Sequence, residues 1–266
     1  MGANIFERYG VKEVANVYFQ ALADDKKAGV KEGDIVLFLD TLKVSTIETT
    51  AENVAAQGGW GNPKLVMWDY GKEINITLED ALISVESLRF MLGGAVKKAG
   101  GSDKVTVHYS EQASVQTENT LPTFEDHITG EVVTPVAPYR YINMTSGVRG
   151  TVTSGEGSFT AKVGDVIRVF WEEQKDGSTG NEAVEITISP NTFPGTYRVV
   201  GDTFIRSEAT GKDEAFQFVI EKAKVLSNVT ITLQAEGDPS TFELSLNVLR
   251  ATNAAGENEM MKLIKY

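Results

Sequence analysis

Two stretches near the C-terminal end of this 266-residue chain alternate cleanly between apolar and polar residues. In the first stretch the alternation sets Val229, Ile231 and Leu233 against Asn228, Thr230, Thr232 and Gln234. In the second, after the acidic phrase AEGDPST, it sets Phe242, Leu244, Leu246 and Val248 against Glu243, Ser245 and Asn247. A period of two predicts β-strands with one buried and one free face, so the chain is expected to be mainly β. No group in this segment, Asp213–Arg250, is suited to catalysis, which favours a role in assembly.

The overall charge argues against ordinary nucleic-acid binding. The chain holds 25 Lys and Arg against 37 Asp and Glu, and a net charge of −12 repels a phosphate backbone. The stretches Val44–Pro63 and Val105–Tyr139 contain no Lys or Arg. They predict either solvated acidic loops or a surface that repels polyanions or meets a basic partner. Because cysteine is absent, disulfides, thiolate metal sites and thiol nucleophiles are excluded.

The sequence carries no recognisable catalytic or metal-binding motif. The GxSxG, HExxH, EF-hand and Walker A patterns are missing, so neither an enzyme activity nor a cofactor is predicted. His108 lies in an alternating strand and is interpreted as structural. His127, beside Glu125 and Asp126, is either structural or a poor metal ligand. No apolar run approaches the ~18 residues of a membrane span, and the chain is expected to be made in the cytoplasm.

One part of the N-terminal half predicts a hairpin followed by a helix. KLVMWD and EINITLED are two strands joined at YGKE, where Gly71 supplies the positive φ of a tight turn. The face expected to point into the core carries Ile74, Ile76 and Leu78. The opposite face carries Asn75, Thr77 and Glu79. The helix, about 84–93, begins at the N-cap Ser84 and ends at Gly93, with an apolar stripe of Val85, Leu88, Met91 and Leu92.

Glycine-rich segments predict a loop and a second hairpin. LKVSTIETT predicts an alternating, half-exposed strand, and the following AENVAAQGGWGNP a long loop or hairpin tip, because glycines and a proline punctuate it. Val44–Pro63 as a whole is interpreted as a flexible segment. Trp60 in this tip either packs locally, the commoner case, or, if its ring is exposed, suits a contact with another subunit. The phrase TYRVVGDTFIRSE predicts a hairpin that turns at Gly201 and Asp202.

Two blocks of the sequence resemble bacteriophage tail tube (major tail) proteins. They are NPKLVMWDYGKEINITLEDALISVESLRFMLGG and GDTFIRSEATGKDEAFQFVIEKAKVLSNVTITLQAEGDPSTFELSLNVLR. The first is similar to the hairpin and helix of these proteins, and the second to their C-terminal strands. The blocks cover about a third of the chain. A single domain over 1–266 is expected, with an elaborated insertion at about 104–194.

The resemblance implies a fold and a role. The fold is mainly β (α+β): a tail-tube-like β sandwich or barrel of antiparallel strands with one flanking α-helix. The role is that of a virion structural protein whose rings, hexameric in tail tubes, stack into a hollow conduit. Its lumen would be acidic, so that genomic DNA passes without specific binding. Its partners would be further copies of itself and other tail proteins: the tape measure, terminator and baseplate proteins and, in a contractile tail, the sheath.

Two groups of site residues follow from the resemblance. The candidates for contacts between rings are Glu48, Glu52 and Trp60. The candidates for the lumen lining are Asn75, Thr77, Glu79, Thr230, Thr232, Gln234, Glu243, Ser245 and Asn247. No catalytic, cofactor-binding or metal-binding residue is expected.

Two other classes of function fit the composition. Another virion component, such as a tail terminator, a baseplate ring protein or a capsid decoration protein, would be built on a similar fold. Open-ended fibres from purified protein would favour the tube, and closed rings or monomers the other component. A carbohydrate-binding or adhesin β module usually shows clustered aromatic residues or calcium-binding acidic loops, whereas Trp60, Trp68 and Trp171 are scattered.

Overall fold

The computed structural model describes residues 7–11, 13–24, 30–153, 159–228, 241–252 and 255–266. Its first elements are β1 (Tyr9–Val11), β2 (Asn16–Ala21), β3 (Ile35–Leu39), β4 (Leu42–Gln57), β5 (Lys64–Asp80), α1 (Val85–Leu92) and β6 (Ala95–Lys98). Next come β7 (Val105–Ser114), β8 (Phe124–Glu125), β9 (Val132–Val133), β10 (Tyr139–Asn143), β11 (Arg149–Val152), β12 (Val166–Lys175) and β13 (Val184–Thr187). The last are β14 (Thr196–Ser207), β15 (Asp213–Val225), β16 (Phe242–Val248), β17 (Ala251–Thr252), β18 (Asn258–Glu259) and β19 (Lys262–Lys265).

The chain divides into two compact units, of which the first comprises Met1–Ala95 and Ile186–Tyr266. Nine of the described strands form one sheet in this unit, in the order β3-β2-β14-β15-β16-β5-β4. Two short strands lie outside this path, since β1 pairs with β14 and β19 pairs with β15. All these pairings are antiparallel. The prediction of a mainly β fold with antiparallel strands and one helix is confirmed for the described residues.

This sheet curls around its own core. β3 and β4 lie at opposite ends of the strand order, yet only Asp40 and Thr41 separate them along the chain. Three Cα–Cα steps span at most about 11 Å, so the two end strands must come close together. The enclosed core has as its largest fully buried side chains Phe19, Ile76, Leu78, Ile220 and Leu246. β3 and β4 do not pair, so no barrel closes among the described strands.

The helix α1 covers one side of this core. Its N-terminus is a capping box, in which Ser84 Oγ accepts from the Ser87 amide at 3.0 Å and the Ser84 amide donates to Ser87 Oγ at 2.9 Å. Gly93 ends the helix with φ of 63°. Both predicted caps are confirmed. The predicted apolar stripe is only partly confirmed: Met91 is buried and Leu88 and Leu92 are half-buried, but Val85 is exposed. Ser87 and Phe90, which lie outside the predicted stripe, are buried instead.

Phe90 explains why the buried stripe of α1 is rotated. Its ring lies 4.7 Å from the ring of Phe19, edge to face, and 4.5 Å from the ring of Tyr197. Aromatic pairs at these separations add to the area that they bury. The helix therefore turns toward the two aromatic side chains on β2 and β14 and exposes Val85. Hydrophobic periodicity within the helix could not reveal this preference, since the partners lie far away in sequence.

Two predicted hairpin turns are wrong, because each lies inside one long strand. β5 runs without a break through YGKE. Gly71 does have a positive φ, 61°, but it serves a β-bulge: Gly71 and Lys72 together lie opposite the single residue Ala51. Likewise β14 continues through Gly201 and Asp202. At Gly201 a Cβ would lie 2.1 Å from Cζ of Phe218, so the glycine makes room for an aromatic ring on the neighbouring strand.

The second unit, Val96–Glu185, has its own sheet and core. The sheet has the order β11-β10-β12-β7, and β8 pairs with β9. The indole of Trp171 is buried and stacks on the ring of Tyr109, with the ring centres 4.9 Å apart. Phe124, Val152, Ile167 and Val169 are fully buried beside it.

A buried carboxylate marks this second unit. Glu111 on β7 is almost completely buried, and one of its carboxylate oxygens lies 2.7 Å from Nδ1 of His127, whose ring is largely exposed. The other histidine, His108, lies 3.5 Å from Glu172, and both of these side chains are well exposed. The two His–Glu pairs therefore differ in the burial of the carboxylate and in the distance between the two groups.

Replacing His127 with alanine is expected to destabilise the second unit by about 1 kcal/mol, because a buried carboxylate loses its partner. The matched control is His108→Ala, whose exposed pair should contribute less than about 0.5 kcal/mol. The measurement is urea unfolding followed by tryptophan fluorescence in a Trp60→Phe, Trp68→Phe background, in which Trp171 is the remaining tryptophan. Equal shifts of the unfolding midpoint in the two variants would show that the burial of Glu111 is irrelevant.

The described ends of the chain are fastened to the same end of β14 and β15. Lys265 on β19 forms ion pairs with Glu214 at 2.7 Å and with Glu7 at 3.1 Å, and its ammonium group lies over the ring of Tyr9. The hydrogen bond with the Glu214 carboxylate is the main cause of the raised pKa of Lys265. The hydrogen bond from Tyr9 is the main cause of the lowered pKa of Glu7. These contacts hold β1 and β19 against the sheet at neutral pH.

Candidate assembly surfaces

One polar surface brings together most of the predicted lumen residues. Asn75, Thr77 and Glu79 on β5 lie directly opposite Asn247, Ser245 and Glu243 on β16. Their side chains point away from the core, because Ile74, Ile76 and Leu78 between them are buried, as predicted. The amide of Asn247 donates to Oδ1 of Asn75 at 2.9 Å. The remaining candidates, Thr230, Thr232 and Gln234, lie outside the described residues, as does the first alternating stretch from Val229.

The polar surface continues from β5 onto β4. Glu48, predicted as a contact between rings, pairs with Asn75 and so lies beside the predicted lumen residues. We define the polar face as the outward-facing residues of β4, β5 and β16, namely Val44, Thr46, Glu48, Thr50, Glu73, Asn75, Thr77, Glu79, Glu243, Ser245 and Asn247. On the next strand, β15, the neighbour of Asn247 is Lys224.

The polar face carries charge of one sign. Its four charged residues are all acidic: Glu48, Glu73, Glu79 and Glu243. Glu79 and Glu243 are direct partners across β5 and β16. Like charges directly opposite each other destabilise a sheet. Violations of a local stability rule tend to occur at functional sites, so this pair favours a role for the charge itself.

A second surface extends beyond the core. We call residues 51–72 the arm: it contains the outer parts of β4 and β5 and the tip between them. No side chain of the arm belongs to the core. β4 pairs only with β5, and β16 pairs with β5 only over Asn75–Asp80, so both backbone edges of the arm are unpaired in the described structure. An isolated two-stranded ribbon is at best marginally stable in water, so the arm is suited to pairing with another chain.

The two faces of the arm differ in chemistry. Cross-strand pairing sets Val54 opposite Trp68 and Ala56 opposite Val66. Tyr70 extends the same face, and its partner there is Glu52. We call Val54, Ala56, Val66, Trp68 and Tyr70 the apolar face of the arm; its four large side chains are each more than half exposed. The other face carries Asn53 and Asp69, opposite each other, with Ala55 and Met67.

The three residues predicted for contacts between rings lie in three different places. Glu48 belongs to the polar face, Glu52 lies at the base of the arm, and Trp60 lies at its tip, fully exposed. The strand predicted for LKVSTIETT is confirmed, but the loop predicted for AENVAAQGGWGNP is wrong in its first part, because β4 continues to Gln57. The alternation from Leu42 to Thr50 predicts the first part of β4. The small residues of AENVAAQ hide its continuation to Gln57.

Sequence reasoning missed the apolar face of the arm. Placing a turn at Gly71 assigned Trp68 and Tyr70 to a hairpin packed on the core. The available signal was the alternation of Val66, Trp68 and Tyr70 with Met67 and Asp69. The structure shows which residues of β4 lie opposite them. That register becomes visible only when the bulge is known.

Sites for small ligands are sparse in the described ranges. Among these residues no group of three or more His, Asp or Glu side chains is placed to hold a metal ion. No helix in the described part of the chain is long and apolar enough to cross a membrane. The surfaces that stand out are therefore the polar face and the arm.

Comparison with known proteins identifies the family. Residues 9–262 match the model of the YomU/Tube protein family. The chain belongs to this family. It is also 23% identical over 251 residues to the tail tube protein of Bacillus phage SPR. The matched residues make up 89% of this chain and 87% of that protein. The resemblance to bacteriophage tail tube proteins, first seen in two sequence blocks, is confirmed for this YomU/Tube family member, and with it the expectation of a structural protein of the phage tail.

Proposed function

We propose that this protein is the subunit of a phage tail tube, in which rings of six subunits stack into a hollow conduit for DNA. The observation that carries the proposal is the polar face, a sheet surface whose four charges are all negative. Facing the lumen, this surface would repel the phosphate backbone and keep the genome from binding as it passes. Six copies of a chain with net charge −12 would carry −72 per ring.

Stacking of the rings is assigned to the arm. Its apolar face and its two unpaired edges need a partner, and a second copy in the adjacent ring supplies one in a homopolymer. Trp60 at the tip and Glu52 at the base remain the predicted contacts between rings, whereas the position of Glu48 favours a place in the lumen wall. The tube would also meet the tape measure, terminator and baseplate proteins and, in a contractile tail, the sheath.

The second unit is proposed to be an insertion into the tube domain. The predicted insertion at about 104–194 overlaps the compact unit Val96–Glu185, which has its own sheet and core. Such a unit adds a surface to the subunit without contributing a strand to the nine-stranded sheet. In this proposal the tube domain is the discontinuous first unit, and no catalytic role is assigned to either unit.

Electron microscopy of the purified protein tests the proposal. We expect open-ended tubes with six subunits per ring, and a map in which Asn75, Thr77 and Glu79 line the channel. Closed rings or monomers at high protein concentration would favour a terminator, baseplate ring or decoration protein instead. Tubes with an uncharged or basic channel would contradict the acidic lumen while leaving the tube assignment intact.

A further inference from the structure

A shallow groove lies on the outward side of β2, β3 and β14 in the first unit. It has a volume of about 420 Å³ and is lined by Tyr18, Gln20, Ile35, Phe38 and Arg198. The side chains of Ile35 and Phe38 are 54% and 55% exposed, so large apolar surface is left uncovered. The groove is therefore an exposed apolar surface of the first unit, distinct from the apolar face of the arm.

The guanidinium group of Arg198 is fixed within the groove. Its Nε lies 2.9 Å from a carboxylate oxygen of Glu221, and Nη1 donates to Oε1 of Gln20 at 3.3 Å. A guanidinium group is planar and can stack its flat face on an aromatic ring. The arm carries such rings on its apolar face, in Trp68 and Tyr70.

One of the strands that line the groove, β3, also has an unpaired backbone edge. β3 is an end strand of the nine-stranded sheet and pairs only with β2, so its outer edge has no partner among the described strands. An unpaired strand edge next to an apolar groove is the combination that accepts an added strand: the backbone provides affinity and the groove provides specificity. The edges of the arm are unpaired as well.

We propose that the groove is the receptor for the arm of a second copy of this chain, which covers Ile35 and Phe38 with its apolar face. This inference rests on the proposed tube function and names the partner surface of the arm. Three features of the two surfaces are complementary: exposed apolar side chains on both, unpaired strand edges on both, and a guanidinium group on the groove with aromatic rings on the arm. Because the arm and the groove are different patches of one molecule, the contact is heterologous and can repeat through an open-ended polymer.

The absence of cysteine makes a direct test simple. Chains carrying Val54→Cys and size-tagged chains carrying Phe38→Cys are mixed, assembled and oxidised, and a parallel sample is treated with a short bis-maleimide. The control replaces Val54→Cys by Asn53→Cys, the adjacent residue on the opposite face of the arm. Cross-linked heterodimers are measured on denaturing gels, and assembly is followed by electron microscopy.

We expect at least about tenfold more heterodimer from the Val54 pair than from the Asn53 pair, since a disulfide needs Cα atoms within about 7 Å. Tubes in which neither reagent joins residues 54 and 38, or in which the Asn53 pair reacts as strongly, would overturn the arm–groove contact and leave the tube function standing. A wild-type protein that forms no tubes would instead overturn the proposed function and the contact that rests on it.

Discussion

Replacing residues 51–72 with a two-residue Asn-Gly turn is expected to give a folded subunit that no longer polymerises. The arm contributes no side chain to the core, so its loss should change the free energy of unfolding by less than about 0.5 kcal/mol. The turn joins Thr50 and Glu73, which are direct partners, and an Asn-Gly turn suits a tight hairpin. Removing all of Val44–Pro63 would be a poorer experiment, because it deletes the part of β4 that pairs with the core-forming half of β5.

The control for the truncation keeps the arm and changes the side of the arm opposite its apolar face. Asn53→Ser and Asp69→Ser alter a cross-strand pair that faces away from Val54, Trp68 and Tyr70, so polymerisation should be retained. Sedimentation and electron microscopy measure assembly, and urea unfolding measures stability. Tubes of normal length from the truncated chain would show that contacts between rings lie elsewhere. A truncated chain that does not fold would show that the arm supports the core.

Replacing Gly201 with alanine is expected to destabilise the first unit by about 1 to 3 kcal/mol, the usual range for overpacking a core. The added methyl group would lie 2.1 Å from Cζ of Phe218, whose ring is buried and cannot move aside freely. The matched control is Gly10→Ala on β1, where a Cβ meets nothing within 4 Å. That substitution should be neutral or slightly stabilising, because alanine restricts the unfolded chain.

A double-mutant cycle separates the clash from other effects of Gly201→Ala. In the background of Phe218→Leu, which shortens the opposing side chain, the substitution should cost much less than in the wild type. The free energies of unfolding of the four proteins, measured in urea, give the coupling between the two positions. Additive effects would mean that Gly201 is required for its backbone conformation rather than for the space above it.

The caps and the strand faces follow from local sequence, whereas the buried face of the helix depends on tertiary contacts. The caps of α1 at Ser84 and Gly93 follow from local hydrogen-bonding chemistry, and both were predicted correctly. The inward face of Ile74, Ile76 and Leu78 follows from alternation on one strand. The buried face of α1 was only partly predicted, because Phe90 is selected by Phe19 and Tyr197, which other strands supply.

The glycines show the limit of local reasoning most clearly. A glycine in a strand-like phrase predicts a turn, a bulge or a close approach of another side chain, and the sequence does not distinguish these outcomes. Gly71 is at a bulge and Gly201 is under an aromatic ring, so both predicted turns were wrong. The insertion boundaries at about 104–194 and the roles of the site residues remain predictions.

By itself, the sequence determined the class of this protein: a mainly β, cysteine-free, acidic chain without catalytic motifs, similar to tail tube proteins in two blocks. Alternation and composition encode these properties residue by residue, so they can be read without a structure. Only the tertiary structure decided that β4 and β5 extend into an arm with one apolar face, and that Glu48 joins Glu79 and Glu243 on one surface. These features depend on strand register, which is set by the irregularities in the β4–β5 pairing and by partners far away in the sequence.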